Sequence, residues 1–208
     1  AEHQRRDHHG DRVQRQARSA WRKPPQEVDR GALESIDQAL SRHEGPIFLD
    51  SFCGTGMSTA RLAADHPGTL VIGIDQSAHR LGKHPELPPN GLILRAHCEA
   101  VWRHLTEREV GVARHTIFCP NPWPKPGQMG RRVHGHPAFR YLPHLGGDLE
   151  LRSNWQIYVE EFGVALNVLG YPSSVAMVPT GESPITLFER KYRRSGHALW
   201  RLEASFPG

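Results

Sequence analysis

The stretch 119–125, CPNPWPK, carries three side chains that could bind or orient a ligand: the amide of Asn121, the indole of Trp123 and the ammonium of Lys125. Residues 112–118 before it become apolar, which is typical of a strand entering a sheet. Prolines at alternate positions of 119–125 exclude both helix and regular strand pairing. The chain therefore leaves the sheet in a stiff loop. In open α/β sheets, such loops at the carboxyl ends of strands bind ligands.

A glycine turn provides a second candidate site. Residues 46–52 are predicted to form a buried strand, and the turn 53–57, CGTGM, leads into a helix over 58–65. Gly54 and Gly56 allow backbone amides to approach a ligand at a helix N-terminus. The turn lacks the third glycine of a dinucleotide fingerprint and any GKS or GKT sequence. It is therefore similar to the shorter loop of S-adenosylmethionine enzymes, which hold no pyrophosphate.

Acidic residues follow the next two predicted strands. Asp75 ends the strand 69–75, where a carboxylate can accept from both hydroxyls of a ribose. Glu99 follows the strand 91–96 and could accept from an adenine amino group. A simpler interpretation of Glu99 is an acid at a helix N-terminus, stabilised by the helix dipole.

The elements that would position these residues alternate between strand and helix, which predicts an α/β fold with a doubly wound, mostly parallel sheet. Further predicted elements are a helix from Gly31 to His43, a helix over 137–145, a strand over 148–152, a helix that begins at 153–156 and a closing strand over 198–202. We expect a single domain over 31–208, preceded by a basic, flexible arm over 1–30.

The charge pattern permits an anionic partner. The 208 residues carry a formal net charge of +4 and 14 histidines. Basic residues cluster in the arm, at Arg131-Arg132, and again in 190–194, where Tyr192 lies among them, a pattern that favours contact with nucleic acid over a merely solvated face. The three cysteines form neither a zinc pattern nor a disulfide framework, and no apolar run is long enough to span a membrane. We expect a reduced, cytoplasmic protein.

Together these motifs resemble the bacterial tRNA (guanine-N7)-methyltransferases, S-adenosylmethionine enzymes of the Rossmann-like class I type. The likeness extends over about residues 45–205 and keeps the order of the family's motifs. Residues 50–56, DSFCGTG, resemble the family's first loop, and 120–125, PNPWPK, resemble its P-D-P-W-x-K loop. Residues 153–160, SNWQIYVE, are similar to T-D-W-x-x-Y-x-E, and 186–189, TLFE, match T-x-F-E.

The resemblance implies a role for each site residue. The S-adenosylmethionine cofactor would be held at its methionine end, ribose and adenine by Asp50, Gly54, Gly56, Asp75 and Glu99. The target base would be faced by Asn121, at the catalytic position, and by Asn154, Thr186 and Glu189. The phosphates of the RNA partner, expected to be tRNA, would be held by Lys125, Arg131 and Arg132.

Two departures concern the acceptor side. The family's Asp in P-D-P-W is Asn121 here, and its Asp in T-D-W is Asn154. Methylation at N7 places positive charge on the purine, so a carboxylate there would stabilise the transition state. Asparagine keeps one carbonyl acceptor and adds a donor, which leaves base binding possible in altered form.

Two alternatives stay open at this point. Asn121-Pro122-Trp123 also resembles part of the N-P-P-[YFW] loop of enzymes that methylate exocyclic amines, although the second proline is absent. The chain could also be a non-catalytic relative that binds S-adenosylmethionine and RNA. The cofactor side matches the family throughout, so we favour an active RNA methyltransferase.

Overall fold

The computed structural model describes residues 10–15, 18 and 21–208. The strands are β1 (Ile47–Ser51), β2 (Leu70–Asp75), β3 (Gly91–Arg95), β4 (Arg114–Phe118), β5 (Gly147–Ser153), β6 (Ser174–Met177) and β7 (Trp200–Phe206). The helices are α1 (Glu27–Ser41), α2 (Met57–Asp65), α3 (Ala78–Leu81), α4 (Cys98–Glu107), α5 (Tyr141–His144), α6 (Gln156–Val168) and α7 (Leu187–Arg194). Short 3-10 helices at Pro126–Arg131, Val133–Gly135 and Pro137–Arg140 connect β4 to α5.

The described strands form one sheet in the order β3-β2-β1-β4-β5-β7-β6. Strands β1 to β5 run parallel to one another, whereas β7 is antiparallel to both β5 and β6. The direction of winding reverses between β1 and β4. This arrangement opens a crevice at the carboxyl ends of the parallel strands, where ligands bind in doubly wound folds. The predicted doubly wound, mostly parallel sheet is confirmed.

Apolar side chains on both faces of the sheet are covered by helices. Phe48 and Val71 pack with Leu62 of α2 on one face. Leu49 and Ile72, the next residues along each strand, belong to the large cluster on the other face. Successive strand residues point to opposite faces, so this alternation places helices on both sides of the sheet, as predicted.

Helix α1 begins earlier than predicted, at Glu27 rather than Gly31. The Gln26 amide donates to Asp29 Oδ2 at 2.9 Å, and Asp29 Oδ1 accepts from the His97 amide at 2.8 Å. The first turn, residues 27–30, has Val28 as its single apolar residue, so a search for apolar periodicity does not find the start of the helix.

Part of the predicted arm also has defined structure. Residues 27–30 belong to α1, residues 10–15 are helical, and Val13 is buried. The boundary placed at residue 30 therefore does not match the structure. The flexibility expected for residues 1–9, 16–17 and 19–20 concerns positions outside the described residues.

Four other elements differ from the prediction. The helix expected over 137–145 is a 3-10 helix followed by the short α5, which contains Pro143 and so lacks one backbone donor. Strand β6 is exposed at all four residues, and α7 buries only Glu189, so neither element has a buried apolar face. The closing strand β7 extends to Phe206.

Candidate active site

The glycine turn after β1 has the backbone geometry of a ligand-binding loop. Gly54 and Gly56 adopt positive φ angles of 62° and 76°. A side chain at Gly56 would meet Ile93 Cδ1 at 2.2 Å, whereas one at Gly54 would meet no atom within 4 Å. Gly56 is therefore required for packing against β3, whereas the space beside the Gly54 Cα is empty.

Asp50, predicted to contact the cofactor, lies inside the protein. Its side chain is 0% exposed and accepts hydrogen bonds from Ser58 Oγ at 2.6 Å, Thr59 Oγ1 at 2.7 Å and Thr116 Oγ1 at 2.8 Å. Burial raises the pKa of the Asp50 carboxyl. These contacts tie β1 to the start of α2 and to β4, so the carboxylate fixes the shape of the glycine turn.

Asp75 lies at the end of β2, as predicted, and its oxygens face the glycine turn and an arginine. Oδ2 accepts from the Gly54 amide at 3.0 Å. Oδ1 accepts from Arg80 Nη2 at 2.8 Å and from the Ser77 amide at 2.8 Å. Arg80 lies just before the end of the four-residue helix α3, which no sequence pattern indicated. The expected ribose acceptor is thus paired with an arginine.

A cavity of about 280 Å³ lies beside Asp75, at the carboxyl ends of β2 and β3, and is lined by Gln26, Val28, Gln76, Arg95, Ala96 and His97. Its volume is close to the lower end of the range for small-molecule sites, about 300–1,000 Å³. Glu99 is the second residue of α4 and is half-buried, without a hydrogen bond or ion pair in the described part of the chain. The open space beside the Gly54 Cα, the acid at Asp75 and this cavity fit a nucleoside-containing cofactor.

The two asparagines expected near the target base lie on adjacent loops. The Cys119 amide donates to the Arg152 carbonyl at 2.8 Å, so the loops after β4 and β5 leave the sheet side by side. Asn121 and Asn154 each lie two residues beyond this hydrogen bond. Asn121 is exposed and its Oδ1 accepts from the Trp123 amide at 3.3 Å.

The basic residues after the proline-rich loop differ in exposure. Lys125 and Arg131 are exposed, and the Arg131 guanidinium lies 4.9 Å from the centre of the Trp123 ring. Arg132 is 6% exposed; it donates to the Trp123 carbonyl at 3.2 Å and pairs with Glu161 of α6. The expectation that Arg132 binds phosphate therefore does not fit its burial, because its side chain holds the proline-rich loop against α6.

Thr186 and Glu189 are also buried rather than open to a base. Thr186 Oγ1 accepts from the Glu189 amide at 3.1 Å and caps α7. Glu189 is 0% exposed, and its carboxylate accepts from the Ile185 amide at 2.8 Å and from Arg152 Nη1 at 3.5 Å. Burial raises the pKa of the Glu189 carboxyl. Glu189 therefore anchors α7 to the end of β5, and Thr186 fixes the first turn of α7.

Helix α7 connects the acceptor loops to the glycine turn. Arg190 Nη2 lies 3.7 Å from Met57 Sδ at the start of α2, and Arg61 Nη1 donates to the Pro184 carbonyl at 3.4 Å. His197, which follows α7, places its Nδ1 3.4 Å from Asn154 Nδ2. Sequence reasoning identified this segment by its T-x-F-E motif and its charge cluster, but not by these contacts with the glycine turn.

In the described part of the chain, no group of three or more His, Cys, Asp or Glu residues is arranged to hold a metal ion. None of the helices within that part has the length and apolar character required to cross a membrane.

Known proteins with similar sequences share one activity. The chain is 32% identical over 182 residues to a tRNA (guanine-N(7)-)-methyltransferase of Chromohalobacter salexigens, an alignment that covers 79% of this chain and 73% of that protein. It is 31% identical over 209 residues to the enzyme of the same name from Stutzerimonas stutzeri, covering 91% and 84%. The chain belongs to the tRNA (guanine-N(7)-)-methyltransferase family. This result confirms the predicted family and its enzyme class, an S-adenosylmethionine-dependent methyltransferase. No family model matches the chain.

Solved structures support the fold. A 16S rRNA (adenine(1408)-N(1))-methyltransferase from Catenulisporales acidiphilia, solved with S-adenosylmethionine, superposes with a TM-score of 0.59 and 18% identity, covering 85% of this chain and 92% of that one. An antibiotic-related methyltransferase superposes with a TM-score of 0.63 and 14% identity, covering 83% and 94%. At these identities the likeness concerns the fold, and it confirms the Rossmann-like class.

Proposed function

We propose that this protein transfers the methyl group of S-adenosylmethionine to N7 of a guanine in tRNA. The observation that carries the proposal is the position of the Asn121 and Asn154 loops, which leave β4 and β5 side by side at the sheet edge that also carries the glycine turn of β1. A base held between these loops would lie next to a donor held at the turn. The sequence similarity to enzymes that act on tRNA supports the choice of acceptor.

The donor site uses three features of the chain. The open space beside the Gly54 Cα would take the methionine end, Asp75 would bind the ribose, and the cavity beside Gln76 and Ala96 would take the adenine, with Glu99 as the expected acceptor for its amino group. Asp50 and Gly56 would act by shaping the turn. When bound, the donor supplies a methyl group on a sulfonium, which is already activated for direct transfer.

The acceptor site then has to position one base. Guanine N7 carries a lone pair and no hydrogen, so the reaction requires orientation and stabilisation of positive charge rather than a general base. The carbonyl oxygens of Asn121 and Asn154 would provide that stabilisation. Burial raises the pKa of Cys119 to about 12, so its thiol stays protonated and does not act as a nucleophile.

The RNA backbone would be bound by Lys125 and Arg131, the exposed cations beside the Asn121 loop. Three further residues would act indirectly. Arg132 would position the loop that carries Trp123, and Glu189 and Thr186 would position α7. The free cysteines Cys53, Cys98 and Cys119 support a reducing, cytoplasmic location, where tRNA is available.

The experiment that tests this function is a filter assay with a donor labelled in its methyl group and total tRNA from a host without its own guanine-N7 enzyme. We expect labelled tRNA that is cleaved at the modified base by the reductive treatment specific for N7-methylguanine. Labelled tRNA that resists this cleavage would contradict the N7 assignment and would favour an exocyclic amine. Donor binding without transfer to any RNA would contradict the catalytic role.

A further inference from the structure

We propose that the stacked rings of Phe188, Tyr192 and His197 form a platform on which a nucleobase of the RNA stacks, next to the pocket of the methylated base. The proposal rests on the proposed function, because it assigns a second contact to the same RNA.

The three rings form a ladder on the outer surface of α7. The Phe188 and Tyr192 ring centres are 6.3 Å apart with planes 24° from parallel, and those of Tyr192 and His197 are 5.7 Å apart at 29°. Elsewhere in the described chain, the ring pairs are edge-to-face, with interplanar angles between 62° and 89°. A ladder of near-parallel rings can be extended by a further flat group such as a base.

The outer end of the ladder is open. Phe188 is 42% exposed although it is a large apolar residue, and it lies on a helix of which only Glu189 is buried. Folding therefore leaves the ring only partly shielded from water. Base stacking on an aromatic side chain contributes about 1–3 kcal/mol per base and tolerates any base, which makes an exposed ring suitable for RNA.

Charge around the platform favours a nucleic acid as the partner. Lys191 and Arg194 are exposed on the same short helix and could contact phosphates on either side of a stacked base. Arg193 is committed to the protein, since it donates to the Pro179 carbonyl at 2.9 Å. A nucleotide offers both a flat apolar face and a negative charge, which matches this combination.

The inner end of the ladder reaches the proposed acceptor pocket. His197 Nδ1 lies 3.4 Å from Asn154 Nδ2, so the last ring contacts a residue proposed to face the methylated guanine. A base stacked on Phe188 would therefore be a nearby nucleotide of the same strand. The platform would hold that strand while the target base is displaced from its stack.

The test uses fluorescence anisotropy of a labelled single-stranded oligoadenylate RNA with the full chain and its variants. Phe188→Leu keeps apolar volume and removes the ring, and we expect affinity to fall about tenfold. Phe188→Trp should retain or increase affinity. The matched control is Leu187→Ala, which removes a neighbouring exposed side chain outside the ladder and should change affinity less than twofold.

Equal effects of Phe188→Leu and Leu187→Ala would overturn the proposal. The proposal would also be overturned if Phe188→Leu lost binding to vesicles of anionic phospholipid but kept its RNA affinity. That result would assign α7 to a membrane surface. Anisotropy requires no methyl transfer, so the platform and the proposed function can fail separately. Calorimetric binding of S-adenosylhomocysteine should be the same in all variants.

Discussion

Arg80 forms an ion pair with Asp75, the residue that is expected to bind the donor's ribose. Its Nη2 lies 2.8 Å from Asp75 Oδ1. Asp75 is buried, whereas the Arg80 side chain is 42% exposed. Oδ1 also accepts from Arg80 Nε at 3.3 Å and from the Ser77 amide, which leaves little room for a ribose hydroxyl. Binding of the donor should therefore displace Arg80 from Asp75.

Replacement of Arg80 by glutamine should accordingly tighten donor binding. A partly exposed ion pair contributes about 0.2–1 kcal/mol, so the Kd of S-adenosylhomocysteine should fall by up to about fivefold in calorimetry. Arg103→Gln removes a comparable pair with Glu107, remote from Asp75, and should leave the Kd unchanged. Weaker binding by Arg80→Gln would instead show that Arg80 orients Asp75 for the ribose.

The two glycines of the turn should respond differently to alanine. At Gly56 the new Cβ would meet Ile93 Cδ1 at 2.2 Å, and overpacking of this kind costs about 1–3 kcal/mol of unfolding free energy. Addition of Ile93→Val should recover part of that loss, because valine lacks Cδ1. At Gly54 only the cost of a positive φ applies, about 1 kcal/mol, but donor affinity should fall. Urea denaturation and calorimetry separate the two effects, and equal loss of stability in both variants would contradict the assignment.

The fold could be predicted from the sequence wherever burial places apolar residues at successive or regularly spaced positions. Strands β1 and β2 are mostly apolar, β4 ends in an apolar pair, and the turn at Gly54 has a glycine signature that depends only on local geometry. The roles of Arg132 and Glu189 could not be predicted in this way. Whether a charged side chain faces RNA or a partner such as Glu161 or Arg152 depends on contacts between residues distant in sequence. Arg80 was missed for the same reason.

Adjacent arginines in the segment after the proline-rich loop should show separate functions. Arg131→Gln should weaken tRNA binding and reduce the slope of log affinity against log salt by about one, with unfolding free energy within about 0.5 kcal/mol of the parent. Arg132→Gln should lower unfolding free energy by about 1–3 kcal/mol, since it leaves Glu161 without this partner and frees the loop carbonyls. A reduced salt slope for Arg132→Gln with unchanged stability would show that Arg132 binds phosphate after all.

His115 should make the protein sensitive to acid. Burial lowers the pKa of His115 to about 3, and its Nε2 lies 2.8 Å from Ser51 Oγ. Between pH 6.5 and about 3 the unfolded chain binds a proton at this residue that the folded chain does not. This group alone should therefore reduce unfolding free energy by about 1.4 kcal/mol for each pH unit below 6.5.

The comparison that isolates this effect is His115→Gln, which keeps an acceptor for the Ser51 hydroxyl and does not titrate. Its unfolding free energy in urea should fall less steeply than that of the parent between pH 6.5 and 4.5. His79→Gln replaces an exposed histidine and should keep the parental slope. Parallel curves for His115→Gln and the parent would contradict the assigned pKa.

In the proposed function, Asn121 and Asn154 face the acceptor base and determine its identity. Both lie beyond the hydrogen bond that joins the β4 and β5 loops, and Asn121 is exposed, so a carboxylate at position 121 carries little desolvation cost. Asn121→Asp should raise kcat/KM for guanine-N7 methylation about tenfold, because a negative charge there stabilises the cationic purine. Asn167→Asp makes the same charge change on the exposed side of α6. It is therefore the control for the weaker electrostatic attraction between tRNA and a protein with one more negative charge. If Asn121→Asp is no faster, or loses activity on the native substrate, the asparagine serves a different acceptor, and an exocyclic amine that donates to its carbonyl is then the chemistry to assay.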